Sequence, residues 1–243
     1  MGAQLVLDDD VPERVLVVTA HPDDVDFGAA GTVARWTAAG AEVVYCIVTD
    51  GDAGGFDPAV PRSEIPLIRR AEQTAAGAEV GVTDLRFLGY PDGRLVASIE
   101  LRRDLSRVIR EVRPTRVLAQ SPERNWNRIY ASHPDHLAAG EATICAVYPD
   151  ARNPWAHPEL ADAGHEAWTV PEVWLMSSTA ADRVVDVTET FDRKLAALLR
   201  HESQHTDPAR LEPMLREWAT TMAGLASLPV GRLAEPFQRI VTT

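Results

Sequence analysis

Short runs of β-branched and aliphatic residues alternate along the chain with stretches whose apolar positions recur every three to four residues. Val15–Thr19, Glu42–Val48, Leu85–Phe87, Arg116–Ala119 and Val173–Ser177 read as strands, with a weaker one at Arg183–Val187. Helical spacing covers Gly31–Ala39, Ser63–Val80, Ile99–Val112, Pro134–Val147 and Phe191–Gln204. A last helix is predicted near Arg210–Leu225, where Leu211, Met214, Leu215, Trp218 and Met222 fall on one face. Runs such as VLVVTA and VVYCIVT are nearly all apolar, as in a sheet covered on both faces. The alternation therefore predicts βαβ units and an α/β fold with a mostly parallel sheet. No repeat, low-complexity tract or linker divides the sequence, so residues 1–243 are expected to form a single domain. Gly51–Arg62 and Tyr148–Pro171 are long irregular segments, of the kind that carries function inside compact domains.

Composition narrows the function. With 45% hydrophobic and 25% charged residues the chain is an ordinary globular one, and intrinsic disorder is excluded. The balance of 24 basic against 36 acidic side chains gives 24 − 36 = −12, which argues against nucleic-acid binding and against an anionic membrane surface. The longest apolar stretches are strand-sized, so no membrane insertion is expected. The first residues, MGAQLVLDDDVPER, have neither the basic nor the apolar region of a signal peptide. Cys46 and Cys145 stand apart in apolar surroundings and form no CxxC site and no disulfide framework, which fits a reducing, cytoplasmic compartment. The expected partner is a small molecule, and homo-oligomerisation is left open.

Two clusters carry chemistry. The first strand runs into Ala20-His21-Pro22-Asp23-Asp24 and then a turn containing Gly28 and Gly31, which sets a His and two carboxylates at the carboxyl end of a strand. That is where open α/β sheets bind ligands. His21 and Asp24 are three residues apart, so a tight turn can aim both at one point, leaving Asp23 between them free to hold a water. Ser132-His133-Pro134-Asp135-His136 again puts His and carboxylate together at a helix start. Each cluster alone is also compatible with plain helix capping. Together they supply two His and one Asp with an open position for water, the arrangement of catalytic rather than structural zinc. For one ion to reach both, the ring nitrogens of His21 and His136 must lie within about 7 Å of each other. The remaining conspicuous residues carry less: His157, His165 and His205 read as solvated loop histidines, and Trp126, Trp155 and Trp168 as partial covers of the core.

The sequence AHPDDVDFGAAGT with the later SHPDH resembles the N-acetylglucosaminyl-phosphatidylinositol de-N-acetylase family, also called PIG-L or LmbE-like, of zinc-dependent deacetylases. The likeness extends through Val48-Thr49-Asp50-Gly51, Arg69-Arg70-Ala71-Glu72, Phe87-Leu88-Gly89-Tyr90-Pro91-Asp92-Gly93, Lys194 with His201-Glu202-Ser203-Gln204, and Ala234-Glu235-Pro236-Phe237. It implies a Rossmann-like three-layer sandwich with the LmbE-like fold. It further implies Zn²⁺ on His21, Asp24 and His136, with Asp23 as general base toward a metal-activated water. His133 is similar to the family's histidine that stabilises the oxyanion or protonates the leaving amine, with Asp135 as its partner. Arg69 and Asp92 match positions that hold sugar hydroxyls. The chain departs from relatives at Val25-Asp26, where many read Glu after HPDD, and at Ala131, where thiol-pathway members carry Tyr; here the tyrosine is Tyr130, read as a packing residue. The expected activity is removal of an N-acyl group, taken as acetyl, from an amino-sugar-containing small molecule. Two alternatives stay open: a zinc amidase acting on a thiol-conjugate or acylated natural product, and a catalytically silent sugar-binding protein on the same fold. The lining of Gly51–Arg62 and Tyr148–Pro171 is expected to separate the two enzymatic readings.

Overall fold

Alternation of side chains along the strands builds two cores rather than one. Val15 and Val17 of the strand β2 (Arg14–Thr19) face one side of the sheet, while Leu16 and Val18 face the other, and all four are buried. The strand β3 (Glu42–Thr49) repeats the pattern, with Val43, Tyr45 and Ile47 against Val44, Cys46 and Val48. Each fully buried aliphatic side chain of this kind contributes about 1.5–3 kcal/mol relative to exposure, so a central strand covered on both faces is among the most strongly held parts of the chain.

The computed structural model describes residues 5–243. Besides β2 and β3, the chain forms β1 (Val6–Leu7), β4 (Asp84–Tyr90), β5 (Arg116–Gln120), β6 (Glu172–Met176), β7 (Arg183–Asp186) and β8 (Ala234–Val241). The helices are α1 (Asp24–Ala38), α2 (Ile65–Glu79), α3 (Ile99–Val112), α4 (Pro134–Cys145), α5 (Pro158–Asp162), α6 (Phe191–Leu199) and α7 (Leu211–Leu225). The eight strands lie in the order β1-β7-β8-β6-β5-β2-β3-β4. Every pairing is parallel except those of β8 with β6 and β7. Apolar residues of α1, α2, α6 and α7 join the first core, and those of α3 and α4 the second, which gives the three-layer α/β sandwich with a mostly parallel sheet. Among the described residues no helix is long and apolar enough to cross a membrane.

Several elements differ from the sequence reading. Helix α1 begins at Asp24, so Gly28 and Gly31 lie inside it and form no turn. Their role is close packing: a Cβ on Gly28 would sit 2.6 Å from Met176 Sδ, and one on Gly31 2.8 Å from Val187 Cβ. Helix α6 stops at Leu199 and is followed by a separate short turn over Glu202–Gln204. The strand β8 has no counterpart in the sequence reading, although it sits well inside the sheet. Its residues 234–237 register with β7 alone and 238–241 with β6 alone, so Pro236 falls in a half-strand with one partner, where a missing N–H is tolerated.

The segment Tyr148–Pro171 is tied down against α3. The buried guanidinium of Arg110 on α3 donates to the carbonyls of Asp150, Ala151, Asn153 and Ala156, and Arg102 pairs with Asp150 at 2.8 Å. This segment therefore serves as a cover for α3 and does not line the site.

Candidate active site

The carboxyl ends of β2, β3, β4 and β5 share one edge of the sheet, and the residues that follow them meet there. After β2 the chain turns at His21 and enters α1 at Asp24. Asp24 closes the turn itself, because its Oδ2 accepts the N–H of His21 at 2.7 Å. The local fold thus depends on the same carboxylate that faces the site. His136 arrives from the opposite face of the sheet, on the first turn of α4. His21 Nδ1 lies 3.2 Å from His136 Nε2, and Asp24 reaches both rings, at 3.4 Å to His21 and 3.0 Å to His136.

On its other side the His21 ring meets two carboxylates: Nε2 is 3.1 Å from Asp92 Oδ1 and 3.3 Å from Asp135 Oδ2. Ionised carboxylates only accept hydrogen bonds, so the proton of a neutral His21 sits on Nε2 and its lone pair on Nδ1 points at His136 and Asp24. Metal-binding histidines are held in this way, with the second ring nitrogen donating to a carboxylate. Burial opposes charge on His21, but Asp24, Asp135 and Asp92 outweigh it and push its pKa up to about 12. Burial likewise opposes charge on Asp24, which His136 and His21 hold well below the usual carboxylate range. The pocket therefore favours positive charge at one point between two imidazole nitrogens and a carboxylate, a donor set that fits a divalent metal ion.

Asp135 and Asp92 stand elsewhere than the sequence reading expects. The Asp135 carboxylate is fully buried and makes no hydrogen bond to the His133 ring; it accepts the N–H groups of Gly93 at 2.7 Å and Leu95 at 3.1 Å and faces His21. Its partners come from the turn after β4 because α4 enters the sheet edge beside that turn. His133 is instead held by a backbone group, with its Nδ1 accepting the N–H of Asp135 at 3.3 Å, so the neutral ring carries its proton on Nε2. Burial and the neighbouring His21 and His136 lower the His133 pKa, the opposite of the rise expected from an Asp135 partner. Asp92, too, faces the His21 ring, while its N–H donates to Asp52 at 2.9 Å.

Asp23 occupies the cap position of α1 in the left-handed region, at φ 85°, and its side chain caps nothing. Its carboxylate is left to face Arg69, whose Nη2 lies 3.2 Å away and also donates to the Pro22 carbonyl at 2.5 Å. Burial pushes the Asp23 carboxyl up to about 7, with Arg69 opposing the rise and Asp24 adding to it. Arg69 is 3% exposed, which makes it a buried partner of Asp23 more than a surface cation.

From Asp24 and His136 a cleft of about 800 Å³ opens toward solvent, within the usual range for small-molecule sites of about 300–1,000 Å³. Its walls include Phe27, Met176, Arg128, Tyr130, Met214 and Trp218. Tyr130 is thus a cleft residue, 72% exposed, and does not pack in the core. Trp126 and Trp155 are also exposed, at 80% and 85%, so neither covers the core; Trp168 does, with its indole N–H donating to the Pro114 carbonyl. Sequence reasoning missed Gln73, Asp26 and Gln120, all buried beneath the site. Gln120 accepts the Ala20 N–H at 2.9 Å and so ties the end of β5 to that of β2. Gln120 had no sequence signal, because it lies one residue past the predicted strand Arg116–Ala119.

A family model of the PIG-L, or GlcNAc-PI de-N-acetylase, family matches residues 16–147, more than half of the chain. The chain belongs to this family. Within the PIG-L relatives it is similar to a diacetylchitobiose deacetylase of Thermococcus kodakarensis, at 32% identity over 206 residues, with 84% of this chain and 75% of that one covered. It is 31% identical over 258 residues to a 1D-myo-inositol 2-acetamido-2-deoxy-alpha-D-glucopyranoside deacetylase of Kineococcus radiotolerans, covering 81% of this chain and 70% of that protein. The structure resembles that of N,N'-diacetylchitobiose deacetylase from Pyrococcus horikoshii in complex with an inhibitor, with a TM-score of 0.87 and 29% identity, covering 96% of this chain and 88% of that chain. The family, the LmbE-like fold and the deacetylase class expected from the motifs agree with these likenesses.

Proposed function

We propose that this PIG-L family member is a zinc-dependent hydrolase that removes an N-acetyl group from an amino-sugar-containing small molecule. The observation that supports this most directly is the convergence of His21, Asp24 and His136 within 3.4 Å, with the carboxylate of Asp23 next in the chain and free of any capping duty. His21, Asp24 and His136 would hold the ion, and Asp135 and Asp92 would fix the His21 ring. Bound Zn²⁺ supplies Lewis acidity and brings the pKa of a water to about 7. Asp23 accepts the proton of that attacking water and passes it on toward the departing amine. Arg69 holds the Asp23 carboxylate in place. His133, neutral and protonated at Nε2, donates a hydrogen bond to the oxygen on which negative charge develops. An 800 Å³ cleft bordered by Tyr130 and Trp218 exceeds what one acetamido sugar fills, so the substrate is a conjugate or oligosaccharide whose second moiety lies along those aromatic side chains. The alternative substrates, a thiol-conjugate or an acylated natural product, would use the same residues.

The test is release of free amine from a panel of N-acetylglucosamine, N,N'-diacetylchitobiose and N-acetylglucosaminyl conjugates, with untreated protein, chelator-treated protein and chelator-treated protein resupplied with Zn²⁺. Amine release that chelation abolishes and Zn²⁺ restores is expected. A protein that carries about one zinc per chain and releases amine from no member of the panel would overturn the reading.

A further inference from the structure

Beneath Asp23 lies a chain of buried polar groups that no catalytic step uses. Gln73 on α2 is fully buried; its Oε1 accepts the Asp23 N–H at 2.7 Å and its Nε2 donates to Asp26 Oδ2 at 2.8 Å. Asp26 is also fully buried, and the same Oδ2 faces His201 Nε2 at 2.8 Å. His201 is fully buried as well, and neither its Nδ1 nor Asp26 Oδ1 has a partner among the described residues. An amide, a carboxylate and an imidazole are an unfavourable filling for a core unless their pairing does something apolar residues could not.

The geometry says what that is. Asp23 sits at φ 85°, a strained conformation that persists only where its surroundings impose it. Its N–H ends on Gln73, and its carboxylate ends on Arg69, one helical turn earlier on α2. Residues four apart on a helix share a face, so α2 grips Asp23 by backbone and side chain together. The Gln73 amide cannot rotate end for end, because its NH₂ would then face the Asp23 N–H and its oxygen the Asp26 carboxylate. Asp26, held in turn against His201, fixes that orientation.

We propose that Gln73, oriented by Asp26 and His201, is a positioning residue that holds Asp23 in its left-handed conformation and so aims the Asp23 carboxylate at the reacting water. The inference rests on the hydrolytic reading above for its effect on rate, but not for the anchoring itself.

Gln73→Glu keeps the volume and the acceptor for Asp23 but sets a second carboxyl 2.8 Å from Asp26. That contact survives only while the pair shares a proton, so rates are compared on the alkaline side, where that proton is lost. The expected result is a kcat lowered by about 10–100-fold, the scale of a misplacement near 1 Å, with KM and bound zinc unchanged. Gln73→Glu combined with Asp26→Asn reverses donor and acceptor: the amide now on α1 donates to the carboxylate now on α2 and to His201 Nε2. This double variant should recover most of the lost kcat. Hydrogen exchange of the Asp23 amide in metal-free protein supplies a second readout, slow in wild type and the double variant and faster in Gln73→Glu. Unchanged kcat in Gln73→Glu, a double variant no better than the single one, or an Asp23 amide that exchanges freely in wild type would each overturn the proposal. Lower stability with intact kcat would reduce Gln73 to packing and overturn it too. Should Gln73→Glu not fold, a folded and active double variant supports the proposal and a folded but inactive one refutes it. A wild type that hydrolyses no amide, yet shows the exchange pattern, would overturn the hydrolytic reading and leave the anchoring standing.

Discussion

Asp135→Asn separates the role the structure gives this carboxylate from the role of a partner to His133. Three donors converge on its two oxygens: Gly93 N–H and the His21 ring on Oδ2, and Leu95 N–H on Oδ1. An asparagine has one oxygen, so whichever way its amide lies, an NH₂ group meets a donor. The cheaper orientation keeps the oxygen at the Oδ2 site and leaves Leu95 N–H buried without an acceptor, at about 1–3 kcal/mol. For a chain of this length that lowers the melting temperature by about 2–12 °C. The His21 ring keeps a hydrogen bond but loses a negative charge, and such losses behind a metal ligand weaken binding by about 10–100-fold. Thermal melts of metal-free protein measure the first effect, and competition with a calibrated zinc chelator the second. An Asp135→Asn variant that melts with wild type and binds zinc with wild-type affinity would refute the reasoning, and a shift confined to rate would return Asp135 to His133.

Asp23→Asn should retain zinc and fold while losing about 10²–10⁴-fold in kcat, as expected for a removed general base; metal analysis beside single-turnover rates checks it. Lys194→Met strands Glu235, a fully buried carboxylate now 2.5 Å from the Lys194 ammonium, and should destabilise by about 3–5 kcal/mol in urea unfolding. Glu172 lies between Arg116 and Arg239; burial raises its pKa, but the two guanidinium groups outweigh burial and hold it below the usual range. A depressed folded-state pKa stabilises above the unfolded value of about 4.3 and that stabilisation is lost as pH falls through the folded value. The gap in urea midpoint between wild type and Glu172→Gln should therefore be widest near neutral pH and close in acid.

How much of this the sequence carries depends on the distance over which each feature is decided. The central strands were readable because Val15–Val18 and Val43–Val48 are apolar at every position, a local pattern that two covered faces require. The His-Pro-Asp clusters were readable because three-residue spacing is itself the geometry. The start of α1 was misread because Gly28 and Gly31 have the look of a turn, while the Met176 and Val187 side chains that demand them lie some 150 residues away in the chain. The partner of Asp135 was misread for the same reason, since adjacency to His133 in sequence says nothing about Gly93, Leu95 and His21. The strand β8 was hidden by Pro236 and by its division between two neighbours.

The three side chains proposed to hold the ion come from both sides of the sheet. Asp24 rides on α1, whose apolar face belongs to one core, and His136 on α4, whose alanines belong to the other. An ion held between them would work as a rivet through the laminate, fastening one helical layer to the other across the sheet edge. Any slip of one layer against the other would change the 3.0 Å separation of Asp24 and His136. Metal affinity thus becomes a strain gauge for the whole sandwich, and a cavity cut deep in either core should register there before it registers in the strands themselves.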